Sequence, residues 1–207
     1  MPPHPALTAL ARLPRKADGK VSITALDRLV REYGPDHDLA VMLWDTGDAA
    51  ARQLAVRITD PGRVDAALLE HWVRGLEDWD LTDAFAAHTV RHTALAVDKA
   101  REWAGRSAEF ERRAGFATMA HLAVRGARAQ HAIDDAVLIG FLPLIEAAAT
   151  DERYHVKKAV NWALRGIGKS NPALAAHAER AARRLQASDD RTARWVGRHR
   201  MGEVFGE

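Results

Sequence analysis

The chain has 207 residues, 47% apolar and 28% charged, with a formal net charge of +2 and no cysteine. Those proportions fit a globular domain large enough to bury one sizeable core, and the lack of cysteine excludes disulfides, thiolate metal sites and thiol nucleophiles. The longest apolar run, residues 136–149, is broken by Gly140, Pro143 and Glu146 and is too short to cross a bilayer.

The amino end lacks the basic start, long apolar centre and small-residue cleavage site of a secretory signal, so the expected location is the cytoplasm. Residues 151–207 carry 12 Lys+Arg against 7 Asp+Glu, or +5, leaving −3 for the first 150 residues. A basic end on a mildly acidic body fits either an anionic partner such as nucleic acid or an unevenly charged solvated surface.

Residues 1–20 are rich in proline and basic residues and are expected to be flexible or partly ordered. A single domain is expected over 21–207. Strand-like alternation is nearly absent, and good helix formers dominate. Helices are predicted over 23–33, ending at Gly34-Pro35, over 38–44, and over 48–58 from an aspartate cap to Asp60-Pro61-Gly62. Further helices are expected over 62–75, 80–88 and 91–103, then over 108–125 with Ser107 as cap. The last are expected over 134–149, with a proline inside, 154–169, 172–186 with Asn171 before Pro172, and 188–204. Short helices joined by short turns, without a heptad seam, point to an all-α fold of stacked antiparallel pairs. The loose period fits a HEAT-like superhelical solenoid with a concave groove; a compact irregular helical domain is the alternative.

The most informative helix spans residues 154–169. Val156, Ala159, Val160, Ala163, Leu164 and Ile167 form one apolar stripe. Trp162 lies off it, sharing a face with Lys158, Arg165 and Lys169. A large apolar ring among three cations suits a surface that meets a polyanion.

Three other places hold residues that packing does not readily explain. Trp79 and Asp83 stand four apart at the start of a predicted helix, although Asp80 and Asp83 also fit a simple capping arrangement. Arg113 is in line with Ala117 and Ala120, beginning an apolar stripe, or else it snorkels to solvent. His88 and His92 have the i, i+4 spacing of a metal pair but no third ligand accompanies them, so surface histidines are expected and no metal.

These segments resemble the DNA alkylation repair proteins of the AlkD type. The resemblance is carried by VKKAVNWALRGIGKSNP at 156–172 and WDLTD at 79–83, supported by HDLAVMLWDTGDAAARQLAVRITDP at 37–61 and FERRAGF at 110–116. It implies a HEAT-like solenoid that excises N3- and N7-alkylated purines from duplex DNA, as a monomer, without metal or cofactor. By position in the motifs, the catalytic aspartate falls on Asp83 and the two groove tryptophans on Trp79 and Trp162. The phosphate-binding arginine falls on Arg113, with Arg112 as the neighbouring alternative; Lys158, Arg165 and Lys169 give wider support along the DNA.

Such chemistry needs few groups, because the alkylated base is already cationic and leaves without protonation. An ionised carboxylate stabilises the positive charge that develops on the sugar and holds the attacking water. The tryptophan faces are suited to cationic partners. Family members commonly carry further helices ahead of the first matched one, which puts duplex affinity in question here. A non-enzymatic HEAT-type module for damaged or branched DNA is the alternative, and a protein-binding scaffold a third.

Overall fold

The computed structural model describes residues 4–15, 20–123 and 133–205. Among these residues the fold is helical, with one isolated bridge between Arg15 and Val21. The helices are α1 (Pro5–Ala11), α2 (Ile23–Tyr33), α3 (His37–Asp45), α4 (Ala49–Ile58), α5 (Ala66–Arg74), α6 (Trp79–His88) and α7 (Ala96–Ala104). They continue with α8 (Glu109–Leu122), α9 (Asp135–Ile139), α10 (Leu142–Ala148), α11 (Tyr154–Gly168), α12 (Pro172–Gln186), α13 (Arg191–Arg198) and α14 (Gly202–Phe205).

Local chemistry sets most of these boundaries. Ser22, Asp36, Asp48, Asp65, Asp78, Asn171 and Asp190 each cap a helix by accepting a backbone N–H in its first turn. Gly34 ends α2 with φ of 63°, which a side chain would strain.

Several predicted helices are broken in the structure. The stretch 62–75 begins as a 3-10 turn, and Asp65 caps a new helix. The stretch 91–103 likewise separates into a 3-10 turn over Val90–His92 and α7. The stretch 134–149 divides at Gly140 and Phe141, ahead of Pro143, into α9 and α10. The last predicted helix stops at Arg198, and Arg200, at φ of 56°, turns the chain into α14. Ser107 does not cap α8, whose cap position is Ala108 without a side-chain bond. The predicted end of that helix, residues 124 and 125, lies outside the described residues. Within residues 1–20, α1 buries Ala6 and Leu10 in the core.

Packing orders the helices into two layers. Helices α4, α6, α8 and α11 each contact the next, making one continuous layer. Against it lie α3 on α4, α7 on α8, and α10 and α12 on α11. Trp44 stacks on Trp72 at 4.7 Å between ring centres, and Phe85 lies 5.8 Å from Trp103, so four rings tie α3, α5, α6 and α7 together. Glu70 on α5 accepts from Lys99 Nζ, Trp103 Nε1 and Arg106 at 2.8, 3.0 and 2.6 Å, closing the outer side of this cluster. At Gly115 a Cβ would stand 2.4 Å from the Ala104 nitrogen, so α7 and α8 approach as only glycine permits.

Candidate active site

Helix α6 sets the first part of the site. Asp78 caps it, its Oδ1 accepting from Leu81 N–H at 2.9 Å, and Thr82 Oγ1 donates to the Asp78 carbonyl at 2.6 Å. The cap is therefore Asp78, not an Asp80–Asp83 arrangement, which leaves Asp83 available for another role. Trp79 is the first residue of the helix and 47% exposed. Lys20 Nζ lies 5.4 Å from its ring centre and 3.4 Å from an Asp80 carboxylate oxygen. Asp83 follows one turn later, its side chain 23% exposed.

Arg113 on α8 meets Asp83 with a two-point contact. Its Nε donates to one carboxylate oxygen at 2.9 Å and Nη2 to the other at 2.7 Å, while Nη1 donates to the His155 carbonyl at 2.6 Å. One guanidinium thus joins α6, α8 and the start of α11. Arg113 does not snorkel: its side chain is only 7% exposed, and its cost of burial is offset by this charge-assisted fork. Burial pushes the Asp83 carboxyl above its ordinary value, against the pull of Arg113.

The neighbouring arginine has a separate task. Arg112 lies 3.5 Å from Asp151, whose two oxygens also accept from Arg153 at 2.9 and 2.6 Å. Of the Arg112–Arg113 pair, Arg113 is the one that touches Asp83. The phosphate role that the family resemblance implies for it meets a physical obstacle, because the fork is turned toward protein acceptors and almost fully covered.

Trp162 stands on α11 seven residues beyond His155. It is half-buried, packs against the edge of the core, and meets His121 of α8 edge-on at 4.9 Å. It is thus less open than a surface position implies. Burial, reinforced by the charge of Arg91, holds His121 down to about 4, so the ring against Trp162 is neutral at physiological pH. Lys158 and Arg165 are half-buried and Lys169 is exposed. Among the described residues no group of three or more His, Cys, Asp or Glu side chains is placed to hold a metal, and His88 and His92 acquire no third ligand of that kind.

The structure adds participants that sequence reading missed. The His155 carbonyl holds Arg113, and His121 supports Trp162; neither contact carries a sequence signal. Tyr154 did carry one, standing four residues before Lys158 on the same helical stripe.

The layered helix pairs, with Trp79 and Asp83 on α6, Arg113 on α8 and Trp162 on α11 of one continuous layer, make up a HEAT-like helical-repeat fold. The chain belongs to the DNA alkylation repair enzyme family, whose sequence model matches residues 21–196. A solved structure similar to it is that of a protein from a new family related to the HEAT-like repeat DNA glycosylases, with affinity for branched DNA structures. The likeness has a TM-score of 0.69 at 22% sequence identity, covering 80% of this chain and 69% of that one, and it bears on fold. No curated protein matches the chain.

Proposed function

We propose that this protein is a DNA glycosylase that releases cationic N3- and N7-alkylated purines from duplex DNA. The observation that carries this reading is the Asp83 carboxylate, oriented through both oxygens by Arg113 yet still partly open to solvent one turn from exposed Trp79. In its ionised form, Asp83 faces the positive charge that forms on the deoxyribose as the glycosidic bond breaks, and it orients the water that adds to the sugar. Bond cleavage leaves the electron pair on the purine, which departs neutral, and the attacking water gives up a proton to the Asp83 carboxylate, which passes it on to solvent. Trp79 and Trp162 offer π faces to the sugar and the cationic base. Arg113 acts as a positioning residue for Asp83. Lys158, Arg165 and Lys169 then carry the electrostatic hold on the DNA backbone.

A second reading, a binding module for branched or damaged DNA on the same scaffold, is favoured by the near-complete covering of Arg113 and by the affinity stated for the similar solved protein. The two readings separate in an assay for free base. Methylated duplex DNA is incubated with the full chain, without added metal or cofactor, and soluble 7-methylguanine is measured against a protein-free control. Release above the spontaneous rate supports the glycosylase. DNA binding without release supports the binding module.

A further inference from the structure

The carboxyl-terminal helices hold a second group of rings and cations, which adjoins the DNA-binding set assigned above through Lys158. Tyr154 opens α11 with 60% of its surface exposed. It precedes Lys158 by four residues and Trp162 by eight, so it shares their stripe. Lys158 Nζ lies 5.6 Å from the Tyr154 ring centre and 5.3 Å from that of Trp195 on α13. Lys157 Nζ also lies 5.3 Å from the Trp195 ring, and His199 stacks on it at 4.3 Å with planes 20° apart.

Trp195 and His199 line a shallow depression of about 330 Å³ together with Arg191, Arg194 and Arg198. No carboxylate lines it. Arg194 donates to the carbonyls of Ser188 and Asp189, whereas Arg191 and Arg198 are exposed at its rim. Asn161 fixes this geometry: its buried amide donates to the Val196 and His199 carbonyls at 2.9 and 3.0 Å, pinning α13 to α11.

Flat rings set beside cations match the alternation of base and phosphate along a single strand. In an undamaged duplex the base faces are stacked on one another and do not reach these rings. We infer that this patch is a stacking site for a short single-stranded stretch of DNA. Bases lie on Tyr154 and on the Trp195–His199 pair, and phosphates meet Arg191, Arg198 and Lys157. The inference rests on the nucleic-acid reading above but not on base excision.

The test uses the full chain and fluorescence anisotropy, with a blunt duplex and the same duplex carrying a single-stranded arm of about six thymidines. The arm is expected to tighten binding by roughly tenfold or more. Tyr154→Ala removes that gain and leaves blunt-duplex binding unchanged, with an unaltered thermal melt, whereas Tyr154→Phe keeps the gain. Arg198→Gln reduces the gain and lowers the slope of log affinity against log salt on the armed DNA by about 0.7. Equal affinity of the unmodified protein for blunt and armed duplexes overturns the inference, as does a Tyr154→Ala variant that retains the full gain. Binding to the arm without binding to the blunt duplex supports this site while contradicting the duplex glycosylase. Binding to neither overturns both.

Discussion

Replacing Arg113 by alanine tests whether this arginine builds the site. Its fork supplies two bonds to Asp83 and a third to the His155 carbonyl. Without it, Asp83 loses its cationic partner in a setting where only 23% of the side chain meets water. Removing one partner of a fully buried pair costs about 3–5 kcal/mol; the partial exposure of Asp83 brings the expectation to about 2–3 kcal/mol. For a chain of this size that lowers the melting temperature by roughly 5–10 °C. The assay is thermal unfolding followed by circular dichroism at neutral pH, completed as a double-mutant cycle with Asp83→Ala. A coupling energy of about 1.5–3 kcal/mol is expected, falling as the pH is lowered and Asp83 takes up a proton. A coupling near zero, or an Arg113→Ala variant that melts within about 1 °C of the parent, would refute the assignment of Arg113 as the residue that holds Asp83.

Three further outcomes follow from the same geometry. Asp83 must be ionised to act, and burial raises its carboxyl, so base release is expected to fall with decreasing pH along an acid limb above the value of about 3.9 for a free aspartate; a rate unchanged down to that value would contradict the role. Although burial opposes it, the bonds from Lys99, Trp103 and Arg106 hold the Glu70 carboxyl down to about 2. Its contribution is therefore full above the unfolded value of about 4.3 and lost as the pH falls toward 2. Glu70→Gln should melt about 3–6 °C lower at pH 7 and lose much of the acid sensitivity, corresponding to about 1–2 kcal/mol after discounting for solvent. Gly115→Ala forces a methyl to 2.4 Å from the Ala104 nitrogen, and its denaturant midpoint should drop by the equivalent of about 1–3 kcal/mol or more; an unchanged midpoint contradicts the close passage of α7 and α8.

Much of this arrangement was legible in the residues themselves. The end of α2 follows from Gly34, and the buried stripe of α11 from the spacing of Val156, Ala159, Val160, Ala163, Leu164 and Ile167, all of which are fully covered. Where helices were expected to run on, the competing local signal was weaker in the pattern. Asp65 inside an apolar stretch starts a new helix, and Gly140 with Phe141 breaks one ahead of Pro143. Arg200 reverses the chain in a conformation that its residue type does not announce.

The site divides in the same way. Trp79 and Asp83 were readable because a single turn brings them together, and Arg113 because it begins an apolar stripe. That Arg113 points at Asp83, that Trp162 leans on His121, and that Trp195 shares Lys158 with Tyr154 depend on helices far apart in the chain. Periodicity along one helix carries no information on which neighbour it meets.

The most direct measurement on Asp83 is a paired assay of the Asp83→Asn variant, comparing 7-methylguanine release from methylated duplex DNA with affinity for the same DNA. The carboxylate role requires that most of the release disappears while binding stays similar or tightens, since asparagine keeps the shape and removes the charge. Release at the parent rate from a folded Asp83→Asn protein would contradict it.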